Sequence, residues 1–166
     1  VNTAAKADMV SETSRKLAIE QMRCLNYYAS EILKDYEVHG CTDVTGFSLA
    51  GHALEMAEGS QVTIKIDTKK IPFLPDVEEY AKMGLVPEGT YRNKEFLREK
   101  IKLNDTIKES FEDLLFDPQT SGGLLVSLKK EDAKEVLKRL QEQEQTRYSK
   151  IVGEVEEKQE AHLIFL

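Results

Sequence analysis

The stretch Phe116–Leu128 (FDPQTSGGLLVSL) joins a polar loop, closed by two glycines, to a run of mostly apolar residues. The apolar run over Leu124–Leu128 predicts a buried strand. Gly122 and Gly123 can adopt positive φ values, which would let neighbouring N–H groups converge on an anion. The loop is therefore a candidate phosphate or substrate loop, consisting of Gln119, Thr120, Ser121, Gly122 and Gly123.

Other interpretations of this loop stay open at the level of the residues. It is not a Walker A loop, because no lysine follows the glycines and because a P-loop runs from strand to helix, whereas this loop leads into a strand. A plain turn that begins at Asp117-Pro118 would account for the glycines without any ligand.

Strand and helix patterns interleave on both sides of the loop. Val62, Ile64 and Ile66 alternate with polar residues, which predicts a half-buried strand. Helical spacing of apolar residues predicts helices over 8–36, from the polar turn at 41–43 to 58, over 76–83 and over 131–144, with weaker periodicity over 106–115. Pro87 and Gly89 favour a loop over 86–104, and a hairpin is predicted from strands at 151–155 and 162–166.

This order of elements predicts an α+β fold, with a mixed or antiparallel sheet and helices packed mainly on one face. The 166 residues fit one domain. No apolar run approaches the roughly 20 residues that a membrane-spanning helix needs, and no signal peptide is recognisable.

Charge and cysteine content disfavour several classes of protein. The 23 basic and 30 acidic residues give a net charge of −7, which disfavours direct DNA binding. The two cysteines, Cys24 and Cys41, form no CxxC pair. This excludes a disulfide scaffold and a zinc ribbon, and it predicts a cytoplasmic location. No two histidines are placed to share a metal, and His52 is interpreted as a hydrogen-bonded histidine of the second helix.

A second segment, Cys41–His52 (CTDVTGFSLAGH), holds residues that simple packing does not require. Asp43 is a candidate Mg²⁺ ligand, because a carboxylate suits that ion. Alternatively, Asp43 or Thr42 is the N-cap of the following helix. Gly46 and Gly51 would each cost about 1 kcal/mol inside a helix. Close approach of another backbone or of a ligand is therefore expected at these glycines.

Together, the two segments resemble those of the selenophosphate synthetase (selenide, water dikinase) family. The resemblance rests on Thr42–Phe47 with Gly51-His52, and on Asp117–Leu125, in their order and spacing. Pro87–Thr90 with Asn93 is similar to a third family segment. The resemblance implies that residues 1–8 are an interdomain segment and that residues 9–166 are the C-terminal domain.

The resemblance also implies a fold of the aminoimidazole ribonucleotide synthetase C-terminal type and an activity. Family members convert ATP, selenide and water into selenophosphate, AMP and phosphate, use Mg²⁺ and form homodimers. In the family, the aspartate at the position of Asp43 binds metal, and Thr42, Thr45 and Gly46 would support that site. A carboxylate-held metal suits polyphosphate chemistry, which depends on positioning and charge neutralisation.

The family's catalytic cysteine or selenocysteine, its nearby lysine and its other metal-binding aspartates lie in an N-terminal domain, and none of those motifs occurs here. No catalytic residue is therefore expected in this chain, and the isolated chain is expected to make no selenophosphate. Ser48 and Ala50 stand where the family usually has glycine and leucine.

Two alternatives compete with this function. One is a domain of a sibling ATP-using enzyme, of the hydrogenase-maturation, thiamine-pathway or purine-pathway type. These enzymes share the fold but generally lack the Asp117–Gly123 form of the loop. The other is a non-catalytic binding module that keeps the fold without the chemistry.

Overall fold

The computed structural model, which describes residues 1–166, contains eight α-helices and six strands and confirms the predicted α+β class. The strands are β1 Val38–Asp43, β2 Val62–Ile66, β3 Ile101–Leu103, β4 Leu124–Leu128, β5 Gly153–Glu157 and β6 Leu163–Phe165. The helices are α1 Asn2–Lys6, α2 Glu12–Arg23, α3 Tyr27–Leu33, α4 Ser48–Ser60, α5 Val77–Lys82, α6 Glu88–Leu97, α7 Glu109–Leu115 and α8 Ala133–Gln141.

The main sheet is mixed and has the strand order β3-β6-β2-β5. The strand β2 is parallel to β6 and antiparallel to β5, and β3 is parallel to β6. The residues Ile64 and Ile66 of β2 are buried, as their alternation predicted. Their burial supplies the apolar surface on which the helices pack.

The predicted hairpin between the two last strands is wrong, because β2 lies between them. The connection from β5 to β6 passes over the end of β2 and is bonded to it there. The Thr63 hydroxyl donates to the Ala161 carbonyl at 2.7 Å and accepts from the Gln159 N–H at 2.8 Å. The short loop between β5 and β6 suggested that the two strands pair with each other. In the folded chain β2, which is distant in sequence, lies between them and pairs with both.

Helix α4 covers the main sheet, with α6 and α7 packed against it, which confirms helices on one face. Three alanines on its inner side, Ala50, Ala53 and Ala57, are fully buried and let the helix approach the strands closely. The core cluster around this contact consists of Ala50, Ala53, Leu54, Ala57, Ile64, Ile66, Leu97, Ile101, Leu115, Phe116, Leu163 and Phe165.

The single helix predicted over 8–36 is two helices, α2 and α3. The chain is extended at Cys24, with φ −71° and ψ 125°, which ends α2. The break places Asn26 at the loop of the candidate site, where its side-chain amide donates to the Gly122 carbonyl at 3.0 Å. The structure therefore has a helix break with this long-range contact where the periodicity of the sequence predicted one continuous helix.

Residues 86–104, predicted as a loop, contain α6 and β3. Pro87 precedes the first residue of α6, and Gly89 lies in its first turn. Proline and glycine therefore mark a helix start here, because proline is compatible with the first turn of a helix. A Cβ at Gly89 would lie 2.9 Å from Cγ of Pro118, so glycine also allows α6 to approach the candidate loop.

The polar turn predicted at Cys41–Asp43 is also wrong, because these residues end strand β1. Strand β1 pairs with β4 in a separate two-stranded antiparallel sheet, with Asp43 opposite Leu124. The composition of β1 is unusual for a strand, and its pairing with the apolar β4 compensates for that. None of the eight helices has the length and apolar character needed to cross a membrane.

Candidate functional site

The pairing of β1 with β4 brings the two sequence segments together at one end of the small sheet. The Val44 N–H donates to the Gly123 carbonyl at 2.9 Å, and the Gln119 N–H donates to the Thr45 carbonyl at 3.1 Å. Asp43, which ends β1, thus adjoins the loop of residues 119–123. The two segments therefore adjoin each other although they lie far apart in the sequence.

Gly122 is required by close packing and not by its backbone conformation. Neither Gly122 nor Gly123 has a positive φ, so that expectation is wrong; Ser121, at φ +52°, carries the left-handed conformation instead. A Cβ at Gly122 would lie 2.0 Å from the Val44 carbonyl oxygen, whereas a Cβ at Gly123 would meet no atom within 4 Å. The backbones of the two segments are in contact only because residue 122 lacks a side chain.

The candidate loop presents unused hydrogen-bond donors. The backbone N–H groups of residues 120–123 donate to no acceptor within the chain. Thr120, Ser121 and Gly123 are exposed residues, and Gly122 is half-buried. Successive free N–H groups are the kind of donor set that binds the oxygens of an anion.

The Asp43 carboxylate is exposed and takes part in no hydrogen bond or ion pair within the chain. The N-cap alternative is wrong for both Asp43 and Thr42, because α4 begins at Ser48 after Phe47. No group of three or more histidine, cysteine or acidic side chains in the chain is arranged to hold a metal ion. Asp43 fits a Mg²⁺ site as a single ligand, with the other ligands supplied by phosphate oxygens, water or groups outside this chain.

The two glycines of the second segment differ in role. Gly46 precedes α4 and a Cβ there would meet nothing, so the expected close approach is not found. At Gly51 a Cβ would lie 2.6–2.8 Å from the Phe47 ring, so the close neighbour is a side chain rather than backbone or ligand. The Gly46 carbonyl accepts from the Asn93 side chain, which also donates to the Phe116 carbonyl, at 3.0 and 3.1 Å. Asn93 thereby ties both segments to α6.

Ser48 occupies a backbone position that suits glycine. Its φ is +71° and its side chain is buried. Left-handed backbone is disfavoured for residues with a Cβ. This conformation gives a physical reason for the glycine usual at this place in the resembled family. The Ser48 hydroxyl accepts a long hydrogen bond, 3.4 Å, from the Gly51 N–H at the start of α4.

Asp117, at the beginning of the loop, is a functional candidate that the sequence reasoning did not single out. Burial raises the pKa of its carboxyl to about 6. No hydrogen bond contributes to the pKa shift of this carboxyl. Asp117 lines an apolar cleft of about 1820 Å³, together with the loop that follows it.

Cys41 is not an activated thiol. Burial raises its pKa, and the neighbouring Asp43 carboxylate raises it further. A raised pKa leaves less thiolate, which is the reactive form.

Comparison with known proteins matches nearly the whole chain. A family model described as AIR synthase related protein, C-terminal domain, matches residues 2–165. The chain is 46% identical over 158 residues to a selenide, water dikinase of Clostridium botulinum (strain Eklund 17B / Type B), covering 95% of this chain and 45% of the relative. It is 48% identical over 161 residues to the selenide, water dikinase of Caldanaerobacter subterraneus subsp. tengcongensis, covering 96% and 46% of the two chains.

A third relative is selenide, water dikinase 2 of Peptoclostridium acidaminophilum. It is 43% identical over 166 residues, which are 100% of this chain and 47% of the relative. The chain thus spans about half the length of the curated relatives it matches. Among solved structures, HypE of E. coli, a hydrogenase maturation protein, matches with a TM-score of 0.57 at 19% identity, covering 82% of this chain and 34% of that one. At that identity the likeness concerns the fold alone.

The close contact at Gly122 predicts a sharp difference between two adjacent substitutions. We expect Gly122→Ala to lower the free energy of unfolding by about 1–3 kcal/mol, because the new Cβ displaces the Val44 carbonyl. Gly123→Ala is the matched control and should change it by less than about 0.5 kcal/mol. Urea unfolding followed by circular dichroism measures both. Equal losses of stability in the two variants would contradict the close contact between Gly122 and Val44.

The raised pKa of Asp117 predicts a pH-dependent contribution to stability. Its folded value, about 6, lies above its ordinary value of 3.8, so the folded state binds the proton more tightly than the unfolded state. The protonated Asp117 therefore contributes to stability fully below pH 3.8, and this contribution is lost as the pH rises through about 6. Asp117→Asn does not titrate there, so its stability relative to wild type should increase from pH 4 to about pH 6. Parallel stability curves from urea unfolding would overturn the assignment.

Proposed function

Because this chain belongs to the family of AIR synthase related C-terminal domains, and because its curated relatives are named selenide, water dikinase, we propose that it serves in an ATP-dependent selenophosphate synthetase. The complete enzyme would convert ATP, selenide and water into selenophosphate, AMP and phosphate. The observation that carries the proposal is the junction at β1 and β4. There an unpartnered carboxylate adjoins a loop with four free N–H groups.

In this proposal each part of the junction has a role in binding a polyphosphate. The Asp43 carboxylate would bind Mg²⁺, which when present neutralises phosphate charge. The N–H groups of residues 120–123 would donate to phosphate oxygens. Thr42, Thr45 and Gly46 would support the end of β1. Thr45 does so through its carbonyl, which holds the Gln119 N–H.

The acidic surface supports the same division of roles. With a net charge of −7, the chain as a whole repels a polyphosphate. Backbone dipoles and a bound cation attract phosphate without requiring a basic side chain.

We also propose that the substrates ATP and selenide meet at an interface with an N-terminal domain of the same protein, that the full-length enzyme is a cytoplasmic homodimer, and that it binds no DNA.

Substitution of Asp43 tests the proposal in the complete protein. We expect Asp43→Asn to reduce selenophosphate formation about 100-fold or more, because even the partners of metal ligands cost 10–100-fold when removed. Folding should be unaffected, because the side chain is exposed and unpartnered. ³¹P NMR with ATP, Mg²⁺ and selenide detects the product, and Asp105→Asn, another exposed aspartate, is the control.

Three outcomes of this measurement are informative. Selenophosphate made by wild type and lost in a folded Asp43→Asn protein supports both the reaction and the metal role. Product unchanged in the variant would remove the metal role of Asp43. No selenium-dependent product from wild type would overturn the function and favour a sibling ATP-using enzyme or a binding module.

The isolated 166-residue chain should produce no selenophosphate under the same conditions. The reason is chemical: the chain holds one candidate metal ligand and no group of metal-binding side chains, and its Cys41 thiol has a raised pKa. Turnover by the purified chain, measured by the same ³¹P signal, would contradict this expectation.

A further inference from the structure

Three side chains, one before α4 and two in its first eight residues, form a continuous chain of hydrogen bonds that the roles above do not use. The Thr45 hydroxyl and His52 Nε2 are 3.0 Å apart, and His52 Nδ1 and a carboxylate oxygen of Glu55 are 3.1 Å apart. Glu55 lies three residues after His52, so one turn of helix aligns them. The chain of bonds begins two residues after Asp43.

Packing holds the His52 ring in one orientation. Only 15% of its side chain is exposed, whereas 60% of the Glu55 side chain is exposed. The Phe47 ring meets the imidazole edge-on, with centroids 5.9 Å apart and planes at 88°. Phe47 in turn occupies space that a side chain at position 51 would fill. The imidazole therefore has fixed partners on both nitrogens.

The partners determine where the imidazole proton lies. An ionised carboxylate only accepts hydrogen bonds, so His52 Nδ1 carries the N–H that Glu55 accepts. In the neutral ring Nε2 is then an acceptor, and it takes the hydroxyl proton of Thr45. The Thr45 oxygen consequently keeps its lone pairs free, on a residue whose carbonyl also holds the Gln119 loop.

We propose that His52 and Glu55 are positioning residues that hold the Thr45 hydroxyl oxygen as an acceptor for a hydrated divalent cation beside Asp43. The inference rests on the proposed function for the presence of that cation. Outer partners that fix a ligand's tautomer and orientation commonly tune cation sites in this way. His52 itself touches neither cation nor substrate.

The tautomer of His52 is measurable without any ligand. Long-range ¹H–¹⁵N NMR of the histidine-labelled intact protein, assigned with His52→Gln, should show the proton on Nδ1 in wild type. In Glu55→Ala the Nε2–H form should appear, because the acceptor for Nδ1 is lost. Glu58→Ala, on the same helix and exposed, is the matched control and should leave the tautomer unchanged. A proton on Nε2 in wild type would overturn the proposal.

A double-mutant cycle tests whether His52 acts through Thr45. We expect His52→Ala to raise the Mg²⁺ concentration for half-maximal ATP turnover by about 10-fold or more. In a Thr45→Val background the same change should cost less than about 2-fold, because the two residues are coupled. His52→Gln, which retains an acceptor at the place of Nε2, should restore most of the wild-type Mg²⁺ requirement.

Equal effects of His52→Ala in both backgrounds would show a packing role only and would overturn the positioning role. The failure of the proposed function has a different signature. In that case wild type turns over no ATP with selenide, and the tautomer measurement alone decides whether His52 and Glu55 orient Thr45.

Discussion

The contact between the Val44 carbonyl and the backbone at Gly122 is the constraint on which the site depends. Antiparallel pairing of β1 and β4 brings two polar segments together, but the approach is so close that any Cβ at residue 122 would occupy the space of the carbonyl oxygen. Asn26 adds a further bond to the Gly122 carbonyl from the α2–α3 break. The position of the loop beside the end of β1 follows from this junction.

The parts of the fold that were predicted correctly are those whose signal is local. The alternation over 62–66 and the apolar run over 124–128 gave the bounds of β2 and β4 correctly. Strand β1 was missed, because histidine, glycine and aspartate are poor strand formers and its partner is far along the chain. The hairpin prediction failed because β5 and β6 are adjacent in sequence but not in the sheet. The strand that lies between them, β2, is about 90 residues earlier in the chain.

The sequence singled out both segments of the candidate site but not the contacts that join them. Asp43 and the 119–123 loop adjoin each other, yet Gly122 is needed for contact and not for positive φ. Asn26 and Asn93 act through carbonyls of distant segments, which no spacing rule reveals. Asp117 owes its raised pKa to burial, a property of the folded chain and not of its neighbours in sequence.

The strand order of the main sheet has a consequence for how the protein folds. The strand β2 bonds only to β5 and β6, and the Thr63 hydroxyl reaches a carbonyl 98 residues further along the chain. During synthesis β2 therefore has no partner until residues 153–166 are available. The apolar surface of α4 and β2 stays uncovered until then, and such late, long-range closure slows folding and favours aggregation. The C-terminal residues thus control when the whole core becomes stable.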